Sequence, residues 1–272
     1  MPPDCLALAE ALGDTPFTAI SAHVLRRGLG DAYLLGDLAA DWGAIVRDRH
    51  APDEPAAVGN DAGMMWSILQ SLDGWFCVNV ASEMARPLGQ WMERIDGYRV
   101  RYYDDIHYTL TVPVEPIEHK LVRRFTTDDL ALLETAPEGV RPMGFGEPRL
   151  VLEHGFAAGA TADGQVVAVA QTYARSERYA DIGVFTLPEY RGRRFATAAA
   201  SIVARCVQEA GQTPVWSTGE DNFASRRVAE KLGFKEAGRR VYMIVEEKAE
   251  PPRGQERQDR GNIRSRGIEP NA

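Results

Sequence analysis

The sequence predicts an α/β chain of the mixed-sheet, α+β kind. Short runs rich in β-branched and aromatic residues, such as WFCVNV at 75–80 and ADIGVFTL at 180–187, alternate with segments whose apolar residues recur every three or four positions. A basic turn, PEYRGRR at 188–194, joins one of those strands to a long helical segment. Two prolines in PVEPIEH at 113–119 divide the chain into a first part, 1–115, and a second, 116–247. The last segment, 248–272, has almost no apolar residues and no periodicity. It cannot offset the entropy of ordering, and a disordered tail is expected there.

Composition excludes several classes. The chain of 272 residues is 44% hydrophobic and 26% charged, ordinary for a globular protein. No run of about 18 apolar residues could span a membrane. The start, MPPDCLALAEALGD, has no basic region like that of a signal peptide, so a cytoplasmic protein is expected. Cys5, Cys77 and Cys206 lie far apart, and the five histidines form no HExxH. Neither a disulfide framework nor a metal site is expected. Residues 1–118 hold 8 Lys and Arg against 18 Asp and Glu, whereas 119–247 hold 17 of each. Such an acidic first half argues against a nucleic-acid partner. It can steer a cationic substrate or simply keep the protein soluble.

The elements follow in order. DAYLLGDLAADW at 31–42 reads as a helix with Leu34, Leu35, Leu38 and Trp42 on one face. WFCVNV reads as a buried strand, and SEMARPLGQWMERI at 82–95 as a helix capped by Ser82 and disturbed by Pro87. YRVRYYDDIHYTLTV at 98–112 reads as a hairpin turning at Asp104 and Asp105. HKLVRRF at 119–125 is a strand and TTDDLALLE a short capped helix. Two strands flank the turn at 162–164, and 180–187 is a further strand. From Phe195 the apolar positions 195, 199, 202, 203, 206, 207 and 210 form a helical stripe, stopped at Gly211. PVWST at 214–218 is a strand, DNFASRRVAEKLGF at 221–234 a helix, and GRRVYMIVE at 238–246 a closing strand. This last strand–helix–strand order repeats the one at 75–112, and Trp75 and Trp216 are 141 positions apart.

The basic turn carries the chemistry. The first turn of a helix leaves its N–H groups without partners, and the helix dipole adds partial positive charge there. A strand running directly into such a helix can therefore bind an anion with backbone alone. Arg191, Arg193 and Arg194 add charge, and Ala196 allows close approach. A basic surface turn that merely opens a packed helix is the alternative. Asn222 starts the next helix, either as an ordinary cap or as a contact for a second polar group of the ligand.

Together these residues resemble the GNAT superfamily of N-acetyltransferases. The family's R/Q-x-x-G-x-G/A signature has its counterpart in Arg191-Gly192-Arg193-Arg194-Phe195-Ala196, and the second signature in Asn222, Ser225, Gly233 and Phe234. Arg27-Gly28-Leu29-Gly30-Asp31-Ala32 fits the first pattern too, but too few residues precede it to form the strands that should come first. The resemblance covers about 119–247. It implies a GNAT fold there, with acetyl-CoA as cosubstrate and no metal. The pyrophosphate would lie on the N–H groups of Arg191, Gly192, Arg193, Arg194, Phe195 and Ala196. The pantetheine arm would pair with the main chain of Val184, Phe185 and Thr186, and Asn222 would contact pantetheine or substrate. An amine of a small molecule or a peptide would attack directly in a ternary complex.

Two departures stand out. Arg194 occupies a position where the family prefers glycine, which is tolerable if the residue keeps helical dihedrals. Ala229 stands where many members carry the tyrosine that protonates the leaving thiolate. No base is obvious; Asp181, Glu153 and Glu220 are carboxylates near predicted strand ends, and Cys206 lies on the apolar stripe as core. A non-catalytic acyl-CoA-binding sensor or interaction module is therefore the alternative function. The first half, lacking a phosphate-turn signature, reads as a degenerate GNAT-like unit or as an unrelated α/β cap.

Overall fold

A computed structural model of the chain describes residues 4–248. Helices α1 (Cys5–Leu12) and α2 (Ala19–Arg27) lead into strands β1 (Gly30–Gly36), β2 (Trp42–Asp48) and β3 (Ala56–Gly59). Helix α3 (Ala62–Leu69), strand β4 (Cys77–Ala81), helix α4 (Ser82–Gln90) and the long strand β5 (Tyr98–Thr109) follow. Next come β6 (Val122–Arg124), α5 (Leu130–Glu134), α6 (Pro148–His154), β7 (Ala157–Ala162), β8 (Gln165–Arg175) and β9 (Tyr179–Thr186). Helix α7 (Phe195–Glu209), β10 (Thr213–Gly219), α8 (Phe223–Lys231) and β11 (Lys235–Lys248) complete the described chain.

The eleven strands form one sheet, in the order β1-β2-β3-β4-β11-β5-β10-β9-β8-β7-β6. Its plan repeats when read inward from the two sides. β1–β2–β3 are antiparallel and β3–β4 parallel; β7–β8–β9 are antiparallel and β9–β10 parallel. A parallel pair needs a crossover, supplied by α3 in the first half and α7 in the second. The last strand of each half then crosses over. β5 pairs with β10, β11 pairs with β4, and β5 and β11 pair with each other from Lys235↔Thr109 to Lys248↔Tyr98.

Each half has its own core against this sheet. α7 lays Ala199, Val203 and Val207, from the predicted stripe, on Ile182, Tyr108 and Trp216. In the first half Met65, Leu69 and Leu88 pack on Val78, Val80 and Met243. β11 belongs to the second half in sequence, yet its Met243 lies in the first half's core.

Four sequence expectations change. Residues 31–42 form β1, a turn and the start of β2, not a helix. Gly36 at φ +88° and Asp37, whose carboxylate accepts from Ala39 N, break the run, and the buried strand Trp42–Asp48 needs a partner. Residues 98–112 do not turn at Asp104 and Asp105. Both carboxylates find partners inside the sheet, Asp104 from Arg239 (2.6 Å) and Asp105 from Asn79 (3.0 Å), so the strand runs on. Glu153 lies on α6, exposed, rather than at a strand end. Ser82 is the first residue of helix 82–95 and not its cap: the N-cap is Ala81, without a side-chain cap, and the Ser82 hydroxyl donates to Arg239 O at 2.8 Å instead; past Pro87 the helix ends in one π turn, Trp91–Ile95. The predicted tail, from residue 249 onward, lies outside the described residues.

Trp216 links sheet and helices. It is buried, meets Phe234 edge-on at 5.7 Å, and donates from Nε1 to Ser225 Oγ at 2.9 Å on α8. Trp216→Ala removes that packing and leaves a cavity, so a loss of about 3–5 kcal/mol is expected, read as a lower urea midpoint with an unchanged slope.

Candidate functional site

β9 and β10 pair only from Thr213↔Tyr179 to Val215↔Asp181 and then splay apart. Beyond Asp181, β9 has a partner on one side only. Leu187 N donates to Val167 O, so by antiparallel alternation Phe185 bonds Val169 while Val184 and Thr186 turn their main-chain groups toward the open side. The predicted strand contact at Val184, Phe185 and Thr186 thus narrows to Val184 and Thr186 for main chain. Phe185 offers its ring, which stands over Gly139. Thr186 Oγ1 is buried and has no partner among the described residues.

The basic turn closes the other end of this opening. A short 3-10 turn, Pro188–Tyr190, brings the chain to α7, whose N-cap position is Arg194 with no side-chain cap. Arg194 has φ 65° and ψ 11°, and Gly192 has φ 78°. This corrects the expectation of ordinary helical dihedrals. A left-handed residue is needed there, which is the physical reason for glycine at that position. Among these arginines, Arg191 Nε donates to Thr186 O (3.3 Å) and Arg193 stacks over the Tyr190 ring at 5.0 Å. Ala198 N is the first α7 amide to bond back, to Arg194 O (3.1 Å). The N–H groups of Phe195, Ala196 and Thr197 precede it, at the end of the helix where the dipole is positive.

These features line one groove of about 610 Å³. It brings together Val184, Phe185, Thr186, Arg191, Gly192, Arg193, Arg194, Phe195, Ala196 and Asn222, every residue assigned to cofactor contact from the sequence. Asn222 caps α8 by accepting from Ser225 N at 3.1 Å, which leaves its amide NH₂ as a donor. Lys231, also in the groove, was missed by sequence reasoning because it sits at the far end of α8, away from either motif.

A second cavity of about 390 Å³ meets the groove at the splay, sharing Val184, Asn222 and Ser225. Asp181 lies in it, on the face of β9 opposite Ile182 and α7. Its carboxyl is 5% exposed and is pushed up to about 7 by burial. The neighbouring His107 pulls it down, Asp105 pushes it up, and a hydrogen bond from Ser217 Oγ (3.4 Å) pulls it down again. Glu220 is placed elsewhere. It is exposed, accepts from Asp104 N at 3.2 Å, and lines neither cavity. Ala229 is fully buried in the core, and Cys206 is buried with its thiol raised by that burial.

The corresponding turn of the first half differs in charge and packing. Asp61 caps α3, accepting from Met64 N at 2.8 Å, so an acid sits where the basic turn sits in the second half. The Trp91 ring packs against Gly63 in the first turn of α3. An anion is excluded there by charge and by bulk.

Residues 115–242 match the family model for GNAT acetyltransferase. No curated protein matches the sequence. Among solved structures, a GCN5-related N-acetyltransferase-like protein from Streptococcus suis is similar, at 20% identity and TM-score 0.65, over 89% of this chain and 98% of that one. An acetyltransferase-family protein from Novosphingobium aromaticivorans is similar at 20% identity and TM-score 0.58, over 87% of this chain and 100% of that one. A tandem GNAT protein from the clavulanic acid biosynthesis pathway is similar at 14% identity and TM-score 0.52, over 92% and 94%. The segment 115–242 therefore belongs to the GNAT family, and the chain as a whole takes the fold of GNAT structures.

Arg194→Gly relieves the left-handed strain at a position with no side-chain partner among the described residues. A gain of about 1 kcal/mol in unfolding free energy is expected by urea titration. A loss of that size would mean that the side chain holds the turn together.

Proposed function

We propose that this chain transfers an acetyl group from acetyl-CoA to a primary amine of a small molecule or peptide, by direct attack in a ternary complex. The observation that carries this reading is the meeting of two cavities at the β9–β10 splay. One has unpaired helix N–H groups and basic side chains; the other holds a buried carboxyl with a pKa near neutrality.

The residues fit acetyl-CoA. The N–H groups at the start of α7, with Arg191, Arg193 and Lys231, suit its phosphates. Val184, Thr186 main chain and the orphaned Thr186 hydroxyl suit the amides of its pantetheine arm. At the splay, Asp181 accepts the proton of the incoming amine, directly or through water. A base with a pKa near the working pH balances availability against proton affinity. Ser225 Oγ accepts from Trp216 Nε1, so its own proton is free to donate. With the Asn222 amide it would stabilise the developing oxyanion or the leaving thiolate, the task left open by Ala229. Ala229 is also what favours the second reading, a non-catalytic acyl-CoA-binding module. Thiol release on addition of an amine separates the two.

Calorimetric titration with acetyl-CoA is expected to give micromolar binding, weakened about tenfold or more for dephospho-CoA, since a phosphate held by cationic groups contributes about 1.5–3 kcal/mol. Absence of binding at millimolar concentration would end this reading.

Asp181→Asn is expected to lower kcat about 10²-fold or more and to abolish the rise of kcat/KM through pH 7. Stability should move the opposite way. The folded carboxyl titrates near 7 and the unfolded one near about 3.9, so the folded state binds the extra proton and loses stability as pH rises between them. The Asn variant should therefore be more stable than the parent at pH 8, and the difference should shrink toward zero below about pH 4, measured by thermal or urea unfolding.

A further inference from the structure

We infer that the acceptor is a small amine bearing a second cationic group, with Glu54 and Asp48 of the first half holding that second charge while the reacting nitrogen lies toward Asp181. This rests on the acetyl-transfer reading for the role of the nitrogen, though the cation site stands on its own observations.

The cavity beside the cofactor groove is acidic on several sides. Asp48 from β2, Glu54 from the β2–β3 connection and Asp181 from β9 line it, among Tyr173, Trp216 and Tyr242. It continues into a further cavity of about 540 Å³ that shares Glu54, Tyr242 and Asn222 and adds Asp221 and Tyr103. No lysine or arginine lines either one among the described residues. Four carboxylates thus face a cleft without a cation.

Their hydrogen bonds show which are free. Asp48 is held in place, accepting from Tyr173 OH at Oδ2 (3.0 Å) and from His50 N at Oδ1 (2.9 Å). Asp221 accepts from Tyr103 OH. Glu54 has no side-chain partner among the described residues, and burial, then Asp53 and Asp105, raise its proton affinity. Asp181, nine-tenths buried, accepts at Oδ2 from Ser217; among the described residues its Oδ1 has no hydrogen-bond partner, and Asp181 lines the cavity. Tyr242, which lines both cavities, also forms no side-chain hydrogen bond among the described residues. A bound cation offsets the burial that raises the proton affinity of Glu54 and Asp181. Aromatic rings around them favour an ammonium further.

The chemistry selects two cationic groups rather than one. The attacking nitrogen must be uncharged, because its lone pair forms the new amide bond; its proton goes to Asp181 and the thiolate departs. A monoamine that surrenders its charge in this way leaves Asp48 and Glu54 uncompensated in the cleft. A second ammonium keeps them neutralised throughout.

The test compares 1,4-diaminobutane with n-butylamine and 4-aminobutanoate on the full chain, by thiol release and, with and without CoA, by calorimetric titration of each amine. Diamine kcat/KM should exceed that of butylamine about tenfold or more, with 4-aminobutanoate poorest. Glu54→Gln, at a side chain without hydrogen-bond partners among the described residues, should fold normally, weaken the diamine about tenfold and leave butylamine unchanged. If no amine releases thiol yet the diamine binds and Glu54→Gln weakens it, acetyl transfer fails and the cation site stands. Equal behaviour of diamine and monoamine, an unchanged Glu54→Gln variant, or no diamine binding in either assay overturns the inference.

Discussion

The exchange of β5 and β11 at the centre of the sheet is the constraint on which the rest depends. Because β5 crosses to pair with β10 from Val215 to Gly219, β10 is held along its far edge while it touches β9 only as far as Val215. β10 keeps its ladder to β5 as far as Gly219, past Val215 where its ladder to β9 ends, and the opening lies beyond that point. The opening in turn exposes the main chain of Val184 and Thr186 and lets the two cavities meet.

A buried polar network fixes the register of this exchange. Arg240 of β11 stands opposite both Ala81 of β4 and Asp105 of β5. Its guanidinium donates to Asn79, and Asn79 donates to Asp105, which lies 3.2 Å from His107 Nε2. Burial lowers the proton affinity of Arg240 and Asp105 restores part of it, as expected of a charge that tolerates the interior only when paired. A slip of one residue would separate these partners and turn each side chain to the wrong face. His107 stands opposite Ser217, whose hydroxyl reaches Asp181, so the row that fixes the register also borders the buried carboxyl of the site.

The halves share a strand plan and differ in chemistry. In the second, a strand enters α7 through a left-handed basic turn; in the first, the equivalent helix is capped by Asp61 and its first turn is packed by Trp91. The first half walls the neighbouring cleft, to which it brings Asp48 and Glu54. Both halves also bury strands that belong to the other, so neither core closes without its partner.

What the sequence determined by itself was local. The stripe from Phe195, the turn at Arg191–Ala196, the Asn222 cap and the second half's element order are written in periodicity and in residue types that act on their neighbours. The groove they form was therefore legible before any coordinates. Tertiary structure decided what depends on distant partners. Residues 31–42 are strands because the buried run of β2 needs a ladder partner, and Asp104–Asp105 do not turn because Arg239 and Asn79 reach them from elsewhere. The strand exchange and the shift of Asp181 toward neutrality likewise arise from packing between segments far apart in the chain. Burial and pairing between remote segments leave no periodic mark in a sequence, and in this protein they are what shape the acceptor side of the site.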